Sequence, residues 1–80
     1  MNEAKVYEQL NEIFRDVFDD DDIELTAETT AADIDGWDSL ANINIVVSVE
    51  NEFNIKFEMN EITEMKSVGE MVKVIMERVQ

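Results

Sequence analysis

The chain has 80 residues, 45% of them hydrophobic and 32% charged, enough apolar matter for one small folded domain and too much for a disordered tail. Its 20 acids against 6 bases leave a formal charge of −14, which repels phosphates and excludes direct binding to nucleic acid or an anionic membrane. With no Cys and no His, disulfides, Cys/His zinc sites, cysteine nucleophiles, Ser-His-Asp triads and histidine acid–base chemistry are excluded as well.

The first element is an amphipathic helix from Glu3 to Phe18. Val6, Leu10, Ile13, Phe14, Val17 and Phe18 recur at spacings of three, four and one. This stretch has neither the basic start nor the apolar block of a signal peptide, and no run in the chain approaches the roughly 20 apolar residues that span a bilayer. A soluble cytoplasmic monomer is therefore expected. The run Asp19-Asp20-Asp21-Asp22 ends the helix, because four acids repel each other and the negative end of the helix dipole.

From Asp19 to Asp38 the sequence shows no clean period. Leu25, Ile34 and Trp37 are spaced along it as apolar anchors, so a long loop pinned to the core is expected, and loops of this length often carry function. Between Asp16 and Ile55 there are twelve acids and no Lys or Arg. The acids do not make an EF-hand: counted from Asp33 or from Asp19, positions five and six hold Trp37 and Asp38 or Ile23 and Glu24. A glycosidase pair of carboxylates would need a cleft larger than so small a bundle offers.

A second long helix is predicted from Ser39 to Phe53, with Gly36 as the turn residue before it and Asp38 as its N-cap. At about 100° per residue its apolar side chains fall into two stripes. Ile45, Val46, Val49 and Phe53 form one; Leu40, Ile43 and Val47 form the other. One stripe suffices for packing, so the second is either covered by the long loop or exposed as a docking patch. A helical turn or two is expected over Asn60 to Met65. Ser67 and Glu70, in the spacing of a capping box, open a last helix whose Val68, Met71, Val72, Ile75 and Val79 share a face.

Ser39 is the candidate for chemistry. It lies in the first turn of a helix, where unpaired N–H groups and the dipole favour an anion such as a phosphodiester, although by local pattern alone Asp-Ser at a helix start is more often a plain cap.

Gly36-Trp37-Asp38-Ser39-Leu40, followed by Val49-Glu50-Asn51-Glu52-Phe53-Asn54-Ile55-Lys56-Phe57 and by Lys66-Ser67-Val68, closely resembles the acyl carrier proteins over nearly the whole chain. The resemblance implies an all-α fold: a right-turning four-helix bundle with a short third helix and a long loop between helices one and two. The 80 residues would be a single carrier domain without enzymatic activity. It implies that Ser39, flanked by Asp38 and Leu40, receives 4′-phosphopantetheine from coenzyme A through a separate Mg²⁺-dependent phosphopantetheinyl transferase. It further implies docking of acyl-loading and acyl-processing enzymes with basic patches through Asp38, Leu40, Ile43, Val47 and Glu50. An acyl pocket would be lined by Ile45, Val46, Val49, Phe53, Ile62, Met65, Val68 and Met71. The acids that fatty-acid carriers have two and five residues after the serine are Ala41 and Asn44 here. Together with Trp37 this resembles dedicated carriers of specialised pathways, including polyketide, peptide or sugar-modifying ones. A peptidyl or aminoacyl carrier protein, an unmodified acidic interaction module and a calcium-responsive protein are the competing readings.

So much like charge on so small a bundle opposes compaction. The melting temperature at neutral pH is expected to rise with added salt or Mg²⁺, followed by circular dichroism; a melting temperature that ignores ionic strength contradicts this.

Overall fold

The computed structural model describes residues 2–63, 65 and 67–79, together with the backbone alone of Glu64. Lys66, part of the family-like motif, lies outside the described residues. Among those described, the chain forms four α-helices and no strand: α1 (Glu3–Phe18), α2 (Ser39–Phe53), α3 (Met59–Glu64) and α4 (Val68–Arg78). α1 packs against α2 and α4. Among the described residues no helix is long and apolar enough to cross a membrane.

The ends of α1 are set by backbone chemistry. Asn2 caps its start by accepting from the Lys5 N–H, and Asp19 ends it in the left-handed conformation (φ 51°), donating its N–H to the Arg15 carbonyl. The acidic run thus stops the helix through a left-handed cap as well as through repulsion. Asn54 (φ 56°) closes α2 in the same way. α3 runs one residue earlier than the spacing of Ile62 and Met65 suggests, because Glu58 and Glu61 form a capping box at its start.

The core joins Val6, Leu10 and Phe14 of α1 to Ile45, Val49 and Phe53 of α2 and to Val68, Met71, Val72 and Ile75 of α4. Val46 is buried as well. Burying such side chains contributes roughly 1.5–3 kcal/mol each before entropy is counted. The long connection over residues 19–38 is fastened to this core. Leu25 is buried, as the sequence suggests, and Ile23 is buried beside it; Ile34 and Trp37 are half-buried. Polar ties reinforce these anchors. Asn11 Oδ1 accepts from the Leu25 N–H at 2.8 Å, and Arg15 Nε donates to the Ile23 carbonyl at 2.8 Å. A single 3₁₀ turn, Ala31–Asp33, capped reciprocally by Thr30 and Asp33, gives the loop a short regular element.

The far side of the loop meets α4. The Val68 N–H donates to the Thr29 carbonyl at 2.8 Å and the Gly69 N–H to the Ala27 carbonyl at 3.0 Å. Ser67 caps the same helix end, its Oγ accepting from the Glu70 N–H. A Cβ at position 69 would stand 2.8 Å from the Ala27 carbonyl oxygen, so this close approach requires glycine. Gly→Ala inside a helix normally stabilises by up to about 1 kcal/mol. Here Gly69→Ala is expected to destabilise by about 1–3 kcal/mol in urea unfolding, and a gain in stability would contradict the close approach.

Candidate functional site

The chain enters α2 through Gly36, whose φ of 87° suits glycine alone. The turn carries a Trp37 N–H to Ile34 carbonyl bond and an Asp38 N–H to Gly36 carbonyl bond. The Trp37 ring stands edge-on to Phe14, with centroids 5.1 Å apart and planes at 84°. Its indole N–H donates to Asn42 Oδ1 at 3.1 Å. Asp38 is the N-cap: its Oδ1 accepts from the Ala41 N–H at 2.9 Å and its carbonyl from the Asn42 N–H.

With Trp37 turned inward and Asp38 spent on the cap, Ser39 faces out. It is exposed, and among the described residues none hydrogen-bonds its hydroxyl. The N–H groups of Ser39 and Leu40 are likewise without a partner among them. An unpaired hydroxyl and unpaired N–H groups at the positive end of a helix dipole suit a phosphodiester.

Beside Ser39 opens a cleft of about 550 Å³ between α2, α3 and the start of α4. Of the residues expected in an acyl pocket, Ile62, Met65 and Met71 line this cleft. Ile45, Val46, Val49, Phe53 and Val68 do not. They are closed into the packed interior, so a chain reaching them would have to displace core side chains. Trp37, Asn42, Thr63 and Ser67 line the cleft without having been expected there. For Asn42 a signal exists, since it lies three residues after Ser39 and so on the same side of the helix. Thr63 and Ser67 have none, because only the packing of α3 and α4 brings them to α2.

The two stripes of α2 separate cleanly. The first is buried, whereas Leu40, Ile43 and Val47 are 69%, 57% and 50% exposed. The loop does not cover them. Ile43 also lines the cleft, so the exposed stripe and the cleft are continuous at that residue. Glu50, like Asp38, has its carboxylate engaged within the chain: it accepts from the Phe57 N–H at 2.8 Å and ties the turn after α2. Among the described residues no three acids are arranged to hold a metal.

The wall formed by α3 is held from α4. Arg78 pairs with Glu61 and donates to the Lys56 carbonyl at 2.7 Å. The Glu58 N–H, and after it Arg78, hold the Glu61 carboxyl below its ordinary range.

Comparison with known proteins fits these features. A family model described as "Phosphopantetheine attachment site" matches residues 8–75. An acyl carrier protein of Phenylobacterium zucineum is 32% identical over 75 residues, covering 94% of this chain and 95% of its own. The chain belongs to the acyl carrier protein family. Another such protein, from Clostridium acetobutylicum, is 31% identical over 88% of this chain and 91% of its own. The solution structure of the holo acyl carrier protein from Geobacter metallireducens superposes with a TM-score of 0.86 at 45% identity, covering 91% of this chain and 84% of that one. Like its family, this carrier is not an enzyme; it carries acyl groups on a phosphopantetheine prosthetic group and works with enzymes.

The depressed Glu61 carboxyl links this carrier's stability to pH. Its contribution is fully present above the unfolded carboxyl's value of about 4.3 and is lost as pH falls through the lower folded value. The melting-temperature deficit of Glu61→Gln is therefore expected to be largest at neutral pH and to shrink below about pH 4. A deficit that stays constant to pH 3 would contradict the pairing.

Proposed function

We propose that the whole chain acts as one carrier domain whose arm is attached at Ser39, and that it serves a specialised biosynthetic pathway in the cytoplasm. The observation that carries this reading is the exposed Ser39 hydroxyl, without a partner among the described residues, at the first turn of α2 beside the cleft. The Ser39 oxygen loses its proton, bonds the pantetheine-bearing phosphorus of coenzyme A and releases adenosine 3′,5′-bisphosphate. A separate phosphopantetheinyl transferase supplies the catalytic groups for that transfer. The thiol so gained holds the acyl thioester, which this Cys-free chain could not form by itself. The donor set at the head of α2 accommodates the resulting diester.

Leu40, Ile43 and Val47, with Asp38 at their edge, form the docking face for enzymes of this kind. Basic residues around the partner's apolar contact complement the field of a −14 chain and speed encounter. Ala41 and Asn44, uncharged where fatty-acid carriers have acids, support a dedicated partner set rather than the housekeeping synthases. Ile62, Met65 and Met71 supply the apolar surface that shelters the acyl group between transfers.

Incubation with coenzyme A and a broad-specificity transferase, followed by intact-mass spectrometry, is expected to show one phosphopantetheine added to the native chain and none to Ser39→Ala. An unchanged native mass would leave an unmodified interaction module as the reading.

A further inference from the structure

The cleft beside Ser39 is not uniformly apolar. Ile43, Ile62, Met65 and Met71 form one part of its lining, while Asn42 and Ser67 bring hydrogen-bonding groups to the rest. An indole N–H can only donate, so the bond from Trp37 to Asn42 fixes which end of the amide faces the ring. Oδ1 takes the indole proton, and the two Nδ2 hydrogens are left to turn elsewhere. Trp37 is itself held by Phe14 of the fully buried core, so the aim of the amide is set by packing rather than by solvent. The Ser67 Oγ accepts from the Glu70 N–H, which leaves its own hydrogen to donate. Thr63 is different, since its hydroxyl already donates to the Asn60 carbonyl.

Both Asn42 and Ser67 are half-buried. A saturated chain laid in the cleft would take their donors out of water and offer nothing in return, which is costly. A chain with an oxygen near the thioester would return an acceptor at the place where water is displaced. We propose that the Asn42 amide, aimed by Trp37, and the Ser67 hydroxyl make this cleft selective for acyl groups bearing a carbonyl or hydroxyl oxygen close to the thioester over saturated chains of equal length. Asn42 and Ser67 are then specificity-determining residues, and Trp37 is a positioning residue that acts through Asn42. The inference rests on the arm being attached at Ser39.

The test loads the native chain with hexanoyl and with 3-oxohexanoyl arms from the corresponding coenzyme A thioesters, confirms loading by intact mass, and compares amide NMR spectra. The 3-oxo cargo is expected to shift the Asn42 side-chain NH₂ and the signals of Ser67 and Met71 relative to the unacylated arm, with the hexanoyl cargo moving them much less. Asn42→Ala is expected to raise hydroxylamine cleavage of the 3-oxo thioester about fivefold and not to raise that of the hexanoyl thioester, whose desolvation cost it relieves. Trp37→Phe keeps the ring and removes the donor, and is expected to weaken the 3-oxo-specific shifts at Asn42. Loading followed by identical shifts for the two cargoes overturns the inference on the native chain alone, whatever the variants do. Failure to load overturns the Ser39 reading and this inference with it.

Discussion

The site depends on the fastening of the connection over residues 19–38. So long a segment has a large conformational entropy, and free of the bundle it would deliver Asp38 and Ser39 to no fixed place. Here it is held by apolar anchors and by backbone polar groups together. Ile23 and Leu25 are buried against α1, Asn11 and Arg15 of α1 satisfy loop backbone groups, and Ala27 and Thr29 accept from the first N–H groups of α4. Those N–H groups belong to the orphan set of a helix start, so one set of bonds both caps α4 and fixes the loop. Trp37 against Phe14 is the last anchor before the helix begins.

From that constraint the functional surface follows. Trp37 inward and Asp38 on the cap leave Ser39 outward, and the α2 period then places Leu40, Ile43 and Val47 on the exposed face with Ser39 at its head. The cleft opens where α3, a short helix tied down by Arg78 and by the Glu50 carboxylate, stands off from α2. An apolar stripe in water is unfavourable for an isolated chain, and the docking face proposed above rests on that exposure. In that proposal the net charge complements basic partners at long range, while the stripe itself is uncharged. Long-range attraction and short-range contact are therefore assigned to different residues.

Where the information is local, the sequence is easily read. The predicted bounds of α1 and α2 coincide with the observed Glu3–Phe18 and Ser39–Phe53, because caps at Asn2 and Asp38 and left-handed stops at Asp19 and Asn54 flank the apolar periods. Whether the second stripe of α2 is covered is a tertiary fact, since a loop with three apolar anchors could lie on either side of the helix. The 3₁₀ turn carries its own signal, Thr30 and Asp33 at capping-box spacing, but is too short for a hydrophobic period. The lining of the cleft is the least legible part. Ile45, Val49 and Val68 have the same apolar character as Ile62 and Met71, and only packing decides which line a space and which fill the core. The role of Glu50 is also hidden, because an acid on a helix flank looks the same whether it meets a partner or the Phe57 N–H.

Native-state hydrogen exchange of individual amides tests the fastening of the loop most directly. The Leu25, Val68 and Gly69 N–H groups, which bond between the loop and the helices, are expected to exchange slowly, close to the rates of Leu10 and Phe14 in the middle of α1. Exchange of those three at the rate of exposed loop amides, with α1 still protected, would contradict the account: the bundle would then be folded while the segment leading to Ser39 moved free of it.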